Sequence, residues 1–258
     1  MDVAEHNRRA WNTESNDGCD WSTPVTPDVI ERAREGDWGI ILTPKQHVPR
    51  NWFPETMDDV EILCLASGGG QQVPVLAAAG ASVTSFDLSD EQLAKDKMVA
   101  QRDDLDIIFE RGEMTDLGRF DDASFDVVFH PASNCFVPDV NPVWRECHRV
   151  LRPGGSLLSG FMNPAFYMFD HAEASESRVL EVKYPLPYSD LTTLTDSERE
   201  RMLKIRGTLE FGHTLDDLIG GQLKCGFTIT GFYEDYWEDA ATLLNAFSPT
   251  SMATRAVK

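Results

Sequence analysis

A chain of 258 residues has room for one large domain or two small ones, either able to bury a sizeable core. With 41% hydrophobic and 26% charged residues it is ordinary for a globular domain, and its longest apolar run, near "VPVLAAAGA", is too short to span a bilayer, so no membrane partner is expected. A formal net charge of −20 repels phosphate backbones and argues against nucleic acid; the same charge also serves plain solubility, and both readings leave a small molecule as the partner.

The opening "MDVAEHNRRAWN" has no apolar core behind its basic residues, so it does not read as a secretory leader, and a cytoplasmic location is expected. Residues 1–57 read as an irregular cover segment that holds Trp11, Trp21, Trp38 and Trp52, four of the six tryptophans. One helix is predicted there, "TPDVIERAREG", with Thr26 as cap, Pro27 in the first turn and Gly36 at the end. Five cysteines, Cys19, Cys64, Cys135, Cys147 and Cys225, stand singly with no CxxC pair; they read as reduced thiols, and no metal site is expected.

From Val60 onward strands and helices alternate. "VEILCLA" reads as a central parallel strand, and the glycines behind it feed a helix through "VPVLAAAG". "ASVTSFD" is the second strand, and "SDEQLAKDKMVAQR" a helix with a capping box between Ser89 and Gln92. "LDIIFE" and "FDVVFH" are the third and fourth strands. "NPVWRECHRVL" is a helix with Val143, Cys147, Val150 and Leu151 on one face, stopped by "PGG" before the fifth strand "SLLSGFM".

Residues 163–212 show no regular alternation apart from a helix at "SERERMLKI", and a connection that long reads as an inserted cover. "TLDDLIGGQLKCG" is a helix between Thr214 and Gly226, and "FTITGFYED" and "MATRAVK" are the last strands. The expected fold is α/β: a doubly wound, Rossmann-like sheet, mostly parallel with a C-terminal antiparallel strand, formed by residues 58–258 with an insertion at 163–212.

In such sheets a ligand binds beyond the carboxyl ends of the strands, at the first glycine turn, here "EILCLASGGGQQ". No lysine follows the glycines, which excludes a Walker phosphate loop. The dinucleotide fingerprint lacks its third glycine, so an NAD(P)-dependent oxidoreductase is the alternative and not the first choice. Asp87 ends the second strand, where a carboxylate accepts hydrogen bonds from two ribose hydroxyls; its other reading is a turn or capping aspartate.

"EILCLASGGGQQ", "VTSFDLSDEQLAKDK", "RGEMTDLGRFDDASFDVVFH" and "CHRVLRPGGSLLSGF" occur in the order and spacing of class I S-adenosylmethionine-dependent methyltransferases. The chain resembles that family strongly over residues 58 to 162, and "HRVLRPGG" with "DDASFDVV" is most similar to its small-metabolite, ubiquinone-biosynthesis-like branch. The resemblance implies S-adenosyl-L-methionine as cofactor, and Ala66, Ser67, Gly68 and Gly70 as a backbone cradle with Gln71 beside the methionine carboxylate. It further implies Asp87 at the ribose, Leu88 on the adenine face, Glu113 and Met114 at the adenine edge, and His130 beside the methyl group. Cys64 stands where the first motif usually has an acid, and Ala66 where it has its first glycine.

Methyl transfer from a sulfonium is an in-line displacement that needs positioning before it needs a catalytic residue. If the acceptor carries a proton, a histidine is a suitable base. His130 at a strand end is the first candidate, His213 the second and His171, in the insertion, the third; each has a competing reading as a local hydrogen-bonding histidine. Asn134 either orients an acceptor oxygen or stabilises a turn. Trp38 and Trp52 read as anchors of the cover, Trp11 and Trp21 as aromatic closures over the site.

Cys19 and Cys135 raise a soft acceptor such as arsenite as a minor option. "NPAF" at 163–166 resembles the motif of base-methylating enzymes, but it follows the fifth strand and lacks the second proline, so it reads as a turn. The expected protein is a methyltransferase for a small molecule, monomer or homodimer; a non-catalytic nucleoside-cofactor-binding protein is a further alternative.

Overall fold

The computed structural model describes residues 2–238 and 240–258. The cover segment begins with a helix that periodicity did not reveal, α1 (Val3–Asp17), capped by Asp2 and closed at Gly18 with φ +79°. Its inward face carries Asn7 and Ser15, both fully buried, where an aliphatic stripe would have announced a helix. Asn7 makes that face work: its amide donates to the carbonyls of Phe136 and Leu209 at 3.1 and 3.0 Å, and its oxygen accepts the Leu209 N–H at 2.8 Å. Helix α2 (Pro27–Arg34) buries Ile30 and Ala33, and its Thr26 hydroxyl turns to the Asp28 carboxylate and not to the backbone.

The alternating elements follow as β1 (Glu61–Leu65), α3 (Gln72–Ala78), β2 (Ser82–Asp87), α4 (Asp90–Asp103), β3 (Ile107–Arg111), β4 (Phe125–His130), α5 (Asn141–Val150) and β5 (Leu151–Met162). The capping box at α4 is half formed. Ser89 Oγ accepts the Gln92 N–H at 3.1 Å, but the Gln92 side chain accepts from Ser22 Oγ at 3.0 Å, tying the cover to the helix start. The "PGG" does not stop α5: Leu151 is already extended, and Gly154, at φ +82°, lies in the irregular start of β5.

The insertion folds as α6 (His171–Ser177), which was not expected, β6 (Tyr188–Ser189) and α7 (Asp196–Arg206). A full capping box between Thr195 and Glu198 opens α7. Strand β7 (Phe211–Gly212) pairs with β6 as a short antiparallel ribbon. The predicted "TLDDLIGGQLKCG" helix is a π-helical turn at Asp216–Gly220 running into a single turn, α8 (Gly221–Lys224). The strands β8 (Thr228–Asp235) and β9 (Ser251–Val257) complete the chain.

Among the described residues seven strands form one sheet in the order β3-β2-β1-β4-β5-β9-β8. The first five run parallel, and β9 lies antiparallel between β5 and β8. Apolar clusters cover both faces: Ile62, Cys64, Val127 and Phe129 point to the side of α2 and α3, and Leu63, Leu65, Val128 and Leu157 to the side of α5. The strand order reverses between β1 and β4, which opens a crevice at their carboxyl ends. The insertion packs a third cluster of Tyr167, Tyr184, Tyr188, Leu194 and Met202 beside that crevice. Among the described residues no helix is long and apolar enough to cross a membrane.

Candidate active site

A cavity of about 380 Å³ occupies the crevice, walled by the ends of β1, β2 and β4, by α1 and by the insertion. Ala66, Ser67, Gly68 and Gln71 form its floor. Ala66 sits in the left-handed region at φ +50°, the conformation that a first glycine would adopt without strain. A Cβ on Gly68 would lie 2.8 Å from Gln92 Cβ, so glycine here admits the close approach of α4.

The next two glycines face the cover segment. A Cβ on Gly69 would meet the Trp21 carbonyl at 2.5 Å, and one on Gly70 would meet Pro24 at 2.8 Å. Gly70, expected in the cradle, does not line the cavity; its N–H is used by Asp96 Oδ1 at 2.7 Å and its carbonyl by the Val25 N–H at 2.8 Å. Gln71 lines the wall, but its amide donates to the Asp20 and Thr23 carbonyls at 2.7 and 3.0 Å. It is therefore a clasp between the glycine turn and the cover.

Asp87, Leu88, Glu113 and Met114 also line the cavity. Asp87 accepts the Gly68 N–H at 3.0 Å on one oxygen and the Ser89 N–H at 2.9 Å on the other. Each oxygen keeps a further acceptor position, so the carboxylate is fixed in place and still able to take two hydroxyls. Burial pushes its pKa up to about 6. Ser67 Oγ, on the same wall, is buried with no hydrogen-bond partner. A fixed acidic acceptor, an unspent hydroxyl and the apolar faces of Leu88, Phe86 and Met114 fit the ribose, polar and adenine parts of a nucleoside donor.

The histidines do not reach this space. His130 is fully buried outside the cavity wall; its Nδ1 meets the Leu65 carbonyl at 3.0 Å and its ring stands edge-on to Trp144. Burial lowers its pKa to about 4, so it is neutral at ordinary pH, and neither the donor contact nor the base role expected of it fits. His213 Nε2 bonds the Asn134 carbonyl at 3.0 Å, and the Asn134 amide donates to the Gly160 carbonyl at 3.0 Å. Both side chains brace the turn after β4, off the cavity wall. His171 lies behind the wall, stacked on Phe166 at 3.9 Å, and supports a residue that lines the cavity without lining it itself. Trp11 and Trp21 do face the cavity, and Trp21 packs edge-on against Trp237 from the far end of the chain.

Reading the sequence missed Tyr167, Arg206, Glu210 and Trp237, which also line the cavity. The only signal was the i,i+4 spacing of Arg206 and Glu210, which reads as a surface pair. Of the five cysteines, Cys135 lines the cavity and Cys19 does not.

Residues 63–159 match the family described as methyltransferase domain. The chain is 47% identical over 256 residues to the uncharacterized methyltransferase YbaJ of Bacillus subtilis (strain 168), covering 99% of this chain and 98% of that one. An arsenite methyltransferase of Aquipseudomonas alcaligenes is 36% identical over 117 residues, 40% of this chain and 33% of the relative. Among solved structures, an S-adenosylmethionine-dependent methyltransferase from Mesorhizobium loti shares the fold with a TM-score of 0.62 at 23% identity, over 81% of this chain and 95% of that chain. With its seven-stranded sheet, its glycine turn and a full-length relative, the chain belongs to the class I S-adenosylmethionine-dependent methyltransferases.

Proposed function

We propose that this enzyme methylates a small-molecule acceptor by in-line displacement, with residues 1–57 and 163–212 as covers over a methyltransferase domain at 58–258. One observation carries the reading: the Asp87 carboxylate and the rings of Trp21, Phe166 and Trp237 line one and the same cavity. A site of about 380 Å³ under two covers suits a compact molecule, and the charge of −20 disfavours nucleic acid.

When bound, S-adenosylmethionine supplies a methyl group activated by a sulfonium. In this proposal Asp87 accepts the ribose hydroxyls, Ser67 and the turn at 66–68 hold the polar end, and Leu88 and Met114 flank the base. Clamping both partners in one closed space contributes on the order of 7–11 kcal/mol through orientation alone. Aromatic walls exclude water from the transfer. The similarity of "HRVLRPGG" and "DDASFDVV" to the small-metabolite branch supports the same acceptor class.

An arsenite acceptor is less well supported. Its binding would call on several thiolates, while Cys135 alone among the cysteines faces the cavity and burial pushes its thiol pKa up. Calorimetric titration with S-adenosylhomocysteine tests the reading: binding with Kd of about 10 μM or below is expected. Absence of binding, together with fluorescence enhancement of NADH, would transfer the cavity to a nicotinamide cofactor. Binding without any turnover across an acceptor screen would favour a non-catalytic protein.

A further inference from the structure

Cys135, Tyr167, Arg206 and Glu210 form a largely buried polar corner of the cavity wall. Arg206, the last residue of α7, donates from Nη2 to both oxygens of Asp190 at 2.8 and 2.9 Å and pairs through Nη1 with Glu210 at 2.8 Å. Asp190 is fully buried off the cavity, and it also accepts the Tyr188 hydroxyl at 2.6 Å and the Glu210 N–H at 2.8 Å. Its acceptor capacity is spent within the protein. Glu210 is different: it lines the cavity, with Arg206 as its one ion-pair partner among the described residues and a long hydrogen bond from the Thr208 hydroxyl at 3.4 Å. Beside it stand Tyr167 and Cys135, both nine-tenths buried and both on the cavity wall. Among the described residues the Tyr167 hydroxyl has no partner in full hydrogen-bond geometry, but it lies close enough to Cys135 and Glu210 to interact with both.

Two carboxyls therefore share one guanidinium, and the corner carries an excess of negative charge. Among the described residues Arg206 is the only basic one on the wall, and both acids hold it through Nη1 and Nη2 while its Nε makes no hydrogen bond. An anionic acceptor finds no free cation there. Around the corner the walls are Phe136, Met162, Phe166 and Trp237.

We propose that this corner selects the methyl acceptor and takes its proton: the acceptor is a largely apolar, ring-sized molecule whose nucleophilic atom is a hydroxyl or an amine, Glu210 is the general base, and Arg206 and Tyr167 position it. The inference rests on the methyl-transfer reading and names the substrate class for it. The acceptor's O–H or N–H bond breaks, and its proton passes to the Glu210 carboxylate. The nucleophile's electron pair forms the new bond to the methyl carbon, and the pair of the broken sulfur–carbon bond stays on sulfur.

Burial raises the proton affinity of Glu210 and the Arg206 guanidinium opposes that rise, which keeps the group able both to accept and to release a proton. The other ionisable groups facing it are Asp190, after β6, Tyr167, after β5, and Cys135, after β4. Burial pushes both the phenol and the thiol up, so they stay protonated and leave the carboxylate as the acceptor of the proton.

The test uses the full chain. Affinity for S-adenosylhomocysteine is measured first, and the saturated protein is then titrated with 2-naphthol, 1-naphthylmethylamine and 2-naphthoate by calorimetry in buffers of different ionisation heat. The naphthol or the amine should bind about tenfold or more tightly than the carboxylate, and the tighter of the two identifies the heteroatom. Buffer-dependent heat should report proton transfer, and E210Q should abolish both the preference and the transfer while leaving affinity for S-adenosylhomocysteine unchanged. Equal or tighter binding of naphthoate, no binding of any probe, or an unaltered preference in E210Q would overturn the proposal. If E210Q does not fold, Y167F should weaken the naphthol several-fold with unchanged S-adenosylhomocysteine affinity, and an unaffected naphthol would overturn it. Failure of S-adenosylhomocysteine to bind the unmodified protein would instead overturn the methyltransferase reading.

Discussion

Asp96 Oδ1 accepts the N–H of Gly70 at 2.7 Å from beneath the glycine turn, while its other oxygen accepts Ser85 Oγ at 2.7 Å. A carboxylate of α4 thus lies beneath the glycine turn whose first motif carries Cys64 where an acid is usual. Cys64 is fully buried close enough to Asp96 for the carboxylate to raise the thiol's pKa further. A second carboxylate at 64 would face the first. C64D should therefore cost about 3 kcal/mol, D96N alone about 1 kcal/mol, and the double variant should recover about 2 kcal/mol of the first loss. Urea unfolding of the four proteins measures the coupling; additive losses would show that the two positions do not interact.

The same carboxyl sets a pH dependence. Burial raises Asp96 from 3.8 to about 7, so between those values the folded protein binds a proton that the unfolded chain has released. Its contribution to stability is greatest at acid pH and is lost as pH rises through 7. Lowering pH from 8 to 5 should stabilise the native protein by about 2–3 kcal/mol more than it stabilises D96N. Parallel melts at the two pH values measure the difference.

Asp87 is held by two backbone N–H groups. D87A should lower affinity for S-adenosylhomocysteine by about 2–3 kcal/mol, through loss of two hydrogen bonds to a charged acceptor. Calorimetry on a variant with unchanged circular dichroism checks this; unchanged affinity would remove the ribose assignment.

Ala66 holds φ +50° without the freedom of glycine. A66G relieves a strain of about 1 kcal/mol and is expected to be neutral or stabilising, whereas A78G, in α3, should lose about 1 kcal/mol. A comparable loss at both positions would mean that Ala66 is unstrained.

His130 joins the ends of β1 and β4 through the Leu65 carbonyl and does not reach the cavity. H130A should destabilise by about 3 kcal/mol, while the pH profile of kcat keeps its shape between pH 6 and 9. Because burial lowers the folded pKa from 6.5 to about 4, the native histidine also costs stability as pH falls through that interval. A profile that loses its acidic limb, where a base is silenced by protonation, in a folded variant would restore His130 as the base.

The strand and helix alternation from Val60 onward, the turn at "SGGG" and the acid at Asp87 were legible because each depends on local pattern: a period of two or of 3.6, a glycine cluster, a carboxylate after an apolar strand. Helix α1 was hidden because its buried face is polar and is satisfied by Phe136 and Leu209, far along the chain. Strand-end position suggested the cavity for His130, yet the ring turns back to Leu65. Gly70 looked like part of a cradle for a ligand, but its open side is filled by Pro24. Sequence by itself determined the order of strands and helices that builds the sheet, since each element is recorded in a local period. Only the tertiary structure decided which side chains share the cavity wall, because Cys135, Tyr167, Arg206, Glu210 and Trp237 converge from separate segments and no periodicity records contacts across such distances in the chain.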